Sequence, residues 1–231
     1  KAAALERYLG ACAALEESVR AQLRGLCDEL GGAHLPALLT AAHWSLLSST
    51  LSLHVGCALQ KGWALPALRA ANDEDRAVAL RGVWPYWLPR ADAVANDVDW
   101  RGLWVLTAPN MAGKSSLMRS ATVAALLANV GLYAPAAGGA VPRYDAYFVR
   151  TSAFDVPAEG RSSFAQEMDD LHVMTSECSA RSLVMLDEIG RGTSTHEGAG
   201  LAVALLEWMD QRSIAAMFAT HMHEVRAGLA A

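Results

Sequence analysis

The 231-residue chain is 53% hydrophobic and 19% charged, a balance typical of a globular protein with a sizeable core and not of a disordered chain. Its formal net charge of −5 offers no electrostatic case for nucleic-acid binding by this chain alone. No apolar run reaches the roughly 20 residues that a bilayer span requires, so we expect no membrane partner. The four cysteines form no C-x-x-C pair and indicate buried thiols in a reducing compartment.

The first part of the chain predicts two long helices. Leucines at three- and four-residue steps predict an amphipathic helix from Leu5 to Leu30, ended by Gly31-Gly32. Pro36 opens a second apolar helix, which ends near Gly62. A short loop between two long helices favours an antiparallel pair.

Between residues 65 and 100 the helical periodicity breaks up. Prolines and a cluster of Asn, Asp and Glu predict loops and short strands there. Aromatic residues are concentrated in the same segment and predict an aromatic core. An alternative role for Tyr86 or Trp87 is to stack on the base of a bound nucleotide.

The stretch that follows has the pattern of a phosphate-binding loop. An apolar run, Leu103 to Thr107, leads into a loop of small residues, and Lys114 and Ser115 then open an apolar helix. We expect backbone N–H groups at the helix start to receive a polyphosphate. Lys114 would reach its β- and γ-phosphates, and Ser115 would ligate Mg²⁺. The predicted nucleotide-binding residues of this loop are Ala108, Pro109, Asn110, Met111, Ala112, Gly113, Lys114, Ser115 and Ser116.

Three more apolar runs alternate with predicted helices after this loop. They span Ala146 to Arg150, Leu183 to Leu186 and Ile214 to Ala219. Strands that alternate with helices predict an α/β fold in which a largely parallel sheet is covered on both faces by helices.

Two of these strands end in residues suited to nucleotide hydrolysis. In a parallel sheet, the carboxyl end that bears Asp187 and Glu188 lies beside the phosphate loop. We expect Asp187 to hold Mg²⁺ through water and Glu188 to polarise the attacking water. His221 follows the last strand, where its imidazole would face the γ-phosphate. Taken singly, each strand end also fits a solvated turn, and it is their order behind the phosphate loop that favours a nucleotide site.

Four motifs, in this order and at matching spacing, resemble the MutS mismatch-repair ATPases. They are P-N-M-x-G-K-S-S (Pro109 to Ser116), G-R-S-S-F-x-x-E-M (Gly160 to Met168), D-E-I-G-R-G-T-S-T (Asp187 to Thr195) and F-A-T-H (Phe218 to His221). The segment P-Y-W-L at 85–88, together with N-D-V-D at 96–99, resembles the organellar branch of plant and algal MutS homologues.

The resemblance implies an ABC-like P-loop ATPase domain at residues 82–231, preceded at residues 1–81 by the end of a long helical lever. It implies ATP and Mg²⁺ as cofactors and a head-to-tail homo- or heterodimer, in which a second MutS-like subunit completes each nucleotide site. Mismatched double-stranded DNA would be bound by domains outside this chain. The organellar resemblance favours the mitochondrion or the chloroplast, with the nucleus as the alternative.

Individual positions carry roles through the same resemblance. Asn110 matches the asparagine of the family's phosphate loop, and Ser162 matches the serine that is offered to the γ-phosphate held by the partner subunit. The remaining matches are the catalytic residues Lys114, Glu188 and His221 and the Mg²⁺ ligands Ser115 and Asp187.

Two alanines depart from the family's phosphate loop. Ala108 and Ala112 stand where the family has glycine, and an αL conformation at either would cost about 1 kcal/mol and weaken ATP binding several-fold. Two hypotheses follow: an ATPase coupled to a clamp on mismatched DNA, and a nucleotide-binding dimerisation module with weak or no turnover. An ABC-type motor of transport or chromosome maintenance is a third, disfavoured because the sequence has no L-S-G-G-Q signature.

Overall fold

The computed structural model describes residues 2–70, 76–109, 111–151, 163–190, 193–221 and 225. Contacts divide the chain into two compact units, Lys1–His54 and Val55–Ala231. The domain boundary predicted between residues 81 and 82 falls inside a strand of the second unit, Val78–Val83. Because that strand pairs with a neighbour on each side, the short strands before residue 82 belong to the same unit as the chain that follows them.

The first helical stretch is continuous and is not a pair of helices joined by a loop. Helix α1 spans Ala2–Glu29, α2 spans Leu35–Lys61, and Leu30–His34 form a π-helical turn between them. The Leu35 N–H donates to the Leu30 carbonyl five residues back, which is the hydrogen bond that defines such a turn. The predicted loop at Gly31-Gly32 and the antiparallel helical pair are therefore wrong.

Pro36 gives a physical reason for a widened turn at this place. It lies in the first turn of α2 and has no N–H, so the helical hydrogen-bond ladder is interrupted here in any helix type. Each of the two glycines costs only about 1 kcal/mol relative to alanine within a helix. The strong helix formers on both sides offset that cost, and the helix widens where the sequence pattern predicts a stop.

The second unit holds two four-stranded sheets within its described residues. One sheet has the order β4-β8-β7-β6 and is parallel throughout, and the other has the order β1-β5-β2-β3 and is mixed. The strands are β1 Ala67–Leu68, β2 Val78–Val83, β3 Asn96–Trp100, β4 Leu103–Thr107, β5 Gly138–Val141, β6 Tyr147–Arg150, β7 Leu183–Asp187 and β8 Ala215–Thr220. The helices that follow α2 are α3 Lys114–Asn129, α4 Ser163–Glu177 and α5 Thr195–Gln211. Within the described part of the chain, no helix combines the length and the apolar composition of a membrane span.

Both faces of the parallel sheet are buried, because alternate residues of its central strands enter two separate cores. On one face Met185 and Met217 pack with α3, and on the other Val184 and Phe218 pack with α4 and α5. The predicted parallel sheet with helices on both faces is confirmed. Both ends of each of the three strands after β4 lie within one residue of the predicted runs.

The second sheet packs against α3, which also contacts strands of the parallel sheet. Residues of β2 and β3, including Leu80 and Trp100, enter the same core as the small residues on the buried face of α3. Trp84 and Trp100 are buried, as the predicted aromatic core requires, whereas Tyr86 and Trp87 are exposed. The phosphate-loop helix thus contacts strands of both sheets.

The start of α5 is fixed by its own side chains. Ser194 is the N-cap residue: its hydroxyl accepts the Glu197 N–H at 3.4 Å and donates to the Glu197 carboxylate at 2.8 Å. The hydrogen bond from Thr193 lowers the pKa of Glu197 most, and the hydrogen bonds from Ser194 lower it further. This reciprocal pair, which is similar to a capping box, fixes the residue at which α5 begins.

Candidate active site

Strand pairing brings the predicted catalytic elements to one edge of the parallel sheet. At the carboxyl end of β4, Thr107 pairs with Thr220 of β8, and Asp187 of β7 pairs with Ala219 of the same strand. Since β8 lies between the other two strands, the carboxyl end of β4 and Asp187 are separated by about two strand spacings, near 10 Å. His221 follows β8 and so emerges between them.

The described part of the phosphate loop closes against its own lysine. The Lys114 ammonium donates to the carbonyl oxygens of Ala108 at 2.5 Å and Pro109 at 3.1 Å. Gly113 precedes α3 with φ +90°, and the Ala112 N–H donates to the Pro109 carbonyl at 3.3 Å. The first turn of α3, which begins at Lys114, therefore opens directly onto this loop with its N–H groups and the positive end of its dipole.

Asp187 is the least satisfied polar group at this edge. Its side chain is buried, with 2% of its surface exposed, and its Oδ1 has no hydrogen-bond partner among the described residues. An unpaired carboxylate oxygen away from water costs free energy that a cation or a donor normally offsets. Carboxylate and hydroxyl oxygens are what Mg²⁺ prefers, so Asp187, with Ser115 at the start of α3, fits the predicted ion.

Glu188 has a strained backbone. Its φ is +57°, a left-handed conformation that costs a non-glycine residue about 1 kcal/mol and that is concentrated at functional sites. Its N–H donates to the Ala219 carbonyl at 2.9 Å. The carboxylate oxygen Oε1 lies 3.8 Å from His221 Nδ1, too far for a direct hydrogen bond but close enough for electrostatic attraction when the imidazole is protonated. The structure thus brings together Glu188 and His221, two of the predicted catalytic residues.

One residue of this region received no individual role from its sequence pattern. Glu167 of α4 is buried, with 5% of its surface exposed, and its Oε1 accepts the Gly190 N–H at 2.8 Å. It lies four residues before Leu171 and seven before Met174, and all three are buried. An acidic residue on the apolar side of an amphipathic helix is the signal by which sequence alone could have singled it out.

A cavity of about 500 Å³ adjoins the phosphate loop, within the range of about 300–1,000 Å³ for small-molecule pockets. Lys114 and Gly113 line one side, and Pro85 and Leu88 line another. Tyr86 and Trp87 pack edge to face with ring centroids 5.1 Å apart and are not among the described residues that line it. The apolar wall next to the loop is supplied by proline and leucine rather than by either predicted aromatic ring.

The sequence model of MutS domain V matches residues 104–230, more than half of the chain. The chain belongs to the MutS family. The family resemblance predicted from the four motifs is thereby confirmed, and the matched region contains the whole of the site edge described above.

Individual MutS relatives agree with this assignment. DNA mismatch repair protein MSH1, mitochondrial, of Arabidopsis thaliana is 34% identical over 232 residues, which cover 96% of this chain and 21% of that protein. DNA mismatch repair protein MutS of Halalkalibacterium halodurans is 40% identical over 168 residues, with 69% and 19% covered. That of Thermus aquaticus is 39% identical over 154 residues, with 66% and 19% covered. The chain spans about a fifth of the length of the relatives that it matches.

The two alanines that depart from the MutS pattern are not strained. Neither Ala108 nor Ala112 is among the described residues with positive φ, whereas Met111 is, at φ +66°. The αL penalty expected for the alanines is therefore absent. The left-handed positions among the described loop residues are Gly113 and Met111, and the Met111 side chain is fully exposed. The predicted site residues Asn110 and Ser162 lie outside the described residues.

Replacing Asp187 with asparagine tests the fit of this carboxylate to Mg²⁺. We expect Asp187→Asn to leave the melting temperature of the metal-free protein unchanged or raised, because it removes a buried charge of which one oxygen has no hydrogen-bond partner among the described residues. The added stability from Mg²⁺ with a non-hydrolysable ATP analogue, about 2.7 kcal/mol at a hundredfold excess over Kd, should be largely lost. Differential scanning fluorimetry measures both effects, and Asp210→Asn at the exposed end of α5 is the control. A full Mg²⁺-dependent shift in Asp187→Asn would contradict the assignment.

Proposed function

We propose that this domain binds ATP and hydrolyses it, as an ABC-like P-loop ATPase. The observation that carries the proposal is the convergence of three features at one sheet edge. They are a phosphate loop at a helix start, a buried Asp187 whose Oδ1 has no hydrogen-bond partner among the described residues, and a strained Glu188. Isolated strand ends seldom combine an orphaned acid with a left-handed acid. Beside a phosphate loop, the combination is what Mg²⁺-dependent phosphoryl transfer requires.

The residues of the site divide the chemistry among them. The loop residues 108–116 and the first turn of α3 would bind the phosphates, with Lys114 exchanging its contacts to the Ala108 and Pro109 carbonyls for phosphate oxygens. Ser115 and Asp187 would hold Mg²⁺, which neutralises charge that develops on the phosphates. Asn110 would bind the same phosphates, by its family match.

Glu188 and His221 would act on the reacting atoms. The Glu188 carboxylate would accept a proton from the attacking water, and its αL backbone aims it away from the line of β7. His221, 3.8 Å from Glu188, would contact the γ-phosphate. Ser162 would act on the nucleotide of a partner subunit in a head-to-tail dimer, so that each site is composite.

We infer further that the protein works in DNA mismatch repair, coupling its nucleotide state to a clamp on mismatched duplex DNA. The support is that its relatives are DNA mismatch repair proteins. The mitochondrial relative favours an organellar location. In the full-length protein that contains this chain, mismatched duplex should stimulate ATP turnover more than matched duplex does. Equal stimulation by both would contradict the coupling.

Two substitutions test hydrolysis and binding separately. We expect Glu188→Gln to lower kcat about 100-fold or more, which is the usual worth of a general base, and to leave ATP affinity within a few-fold. Lys114→Ala should weaken ATP binding about 10- to 100-fold, because it removes charge-assisted hydrogen bonds. Phosphate release and calorimetric titration measure the two effects. Tight ATP binding without any phosphate release by the unmodified protein would instead support the dimerisation module.

Substitutions at Ala108 and Ala112 test whether these alanines limit turnover, as the dimerisation-module alternative requires. Because neither alanine has a positive φ, the double variant Ala108→Gly with Ala112→Gly should keep kcat and ATP affinity within about threefold of the parent protein. Gly113→Ala is the opposite case, since it places a side chain at φ +90°. It should weaken ATP binding about fivefold, for a backbone cost near 1 kcal/mol. A tenfold gain in kcat for the double variant would show that the alanines limit turnover.

A further inference from the structure

We propose that Glu167 is a positioning residue that holds the turn carrying Glu188 in its left-handed conformation. The expected effect on kcat rests on the proposed ATPase function. The expected effect on the conformation of the turn does not depend on turnover. It assigns a role in the site to a residue of α4 that does not itself touch the phosphate loop.

Glu167 is buried where an apolar side chain is expected. It shares the buried face of α4 with Leu171 and Met174, which enter the core shared with β7, β8 and α5. Burying a carboxylate there is unfavourable unless it is hydrogen-bonded, and its Oε1 accepts the buried Gly190 N–H at 2.8 Å. The carboxylate is therefore held beside the turn by a specific contact, and a leucine at this position would leave the Gly190 N–H without that acceptor.

The turn from Glu188 to Gly190 is held on three sides. The Glu188 N–H bonds the Ala219 carbonyl at 2.9 Å, and Glu167 accepts the Gly190 N–H. Gly190, at φ +84°, lies so close to α5 that an added Cβ would meet Gly198 Cα at 2.7 Å. Glu188 is thus a strained residue bracketed by contacts, and strained conformations persist only when their surroundings over-determine them.

Removing the Glu167 bond frees one end of this turn. Glu188 would then be able to relax from φ +57° towards an ordinary conformation, which re-aims its carboxylate. The phosphate loop follows β4, which β8 separates from β7, and α3 packs on the opposite face of the sheet from α4. We therefore expect nucleotide affinity to change little. The loss therefore falls on kcat, since a misplacement near 1 Å can cost about 100-fold in rate.

The experiment compares four proteins: the parent, Glu167→Ala, Glu167→Gln and Glu177→Ala. Glu177 is the matched control, because it is an exposed glutamate at the end of the same helix. We expect Glu167→Ala to lower kcat about 10- to 100-fold with the KM for ATP within threefold. Glu167→Gln keeps an oxygen acceptor for Gly190 and should restore kcat to within about threefold of the parent.

Hydrogen exchange at residues 188–190 is the readout that does not depend on turnover. Exchange should be about tenfold faster in Glu167→Ala, because a hydrogen bond to a charged group is lost, and close to the parent in Glu167→Gln and Glu177→Ala. Should Glu167→Ala fail to fold, Glu167→Asp replaces it, since it keeps the charge but shortens the reach by one methylene.

The outcomes separate the two proposals. If the parent protein releases no phosphate, the ATPase proposal fails and the exchange measurement decides the role of Glu167 alone. Parent-like exchange in Glu167→Ala would overturn the positioning role. A second pattern would also overturn it: a loss of kcat in Glu167→Ala together with a higher KM for ATP and a lower melting temperature, none of them rescued by Glu167→Gln. That pattern belongs to a residue that only supports the fold.

Discussion

The register of three neighbouring parallel strands is the constraint on which the candidate site depends. Polarity does not select that register, because both faces of the sheet are apolar and a one-residue slip would exchange one apolar face for another. Side-chain size and hydrogen bonds near the two ends of β8 select it instead. Each face of β8 carries a small and a large residue, Ala216 with Phe218 on one face and Ala219 with Met217 on the other. The Ala216 N–H bonds the Gly102 carbonyl, and the Glu188 N–H bonds the Ala219 carbonyl. The relative positions of the site residues therefore depend on how firmly these contacts fix the register of the three strands.

The polar groups at this end of the sheet fall into two kinds. The carboxylate of Glu167 and the ammonium of Lys114 have partners within the protein, whereas Asp187 Oδ1 has none among the described residues. Buried polar groups in proteins are nearly always paired, so an exception beside a phosphate loop fits a place that a bound ion or ligand can complete. Glu167 accepts a backbone N–H, as expected of a residue that supports the site. Asp187 Oδ1 has no such partner among the described residues, as expected of a residue that binds an ion.

The strand ends and the phosphate loop could be predicted from sequence because they follow from rules of parallel sheets. Strands that alternate with helices leave their carboxyl ends on one edge, so Lys114, Asp187 and His221 had to converge. Backbone strain at Met111 and Glu188 could not be predicted, since neither residue type favours positive φ. The continuity of the first helix was missed because a glycine pair before a proline normally ends a helix, and a π turn leaves no separate sequence signal.

The π-helical turn has a geometric consequence for whatever packs along the first helical stretch. Its hydrogen bonds span one residue more than those of an α-helix, which advances the helix surface by about 100°, the rotation of a single residue. Leucines that lie in one row along α1 therefore do not continue in the same row along α2. A straight partner helix could follow the row of α1 only as far as Leu30. Beyond that point a partner would have to contact a different side of α2. The apolar residues of α2 are exposed around much of its circumference, so a partner that covered both helices would have to wrap around this stretch.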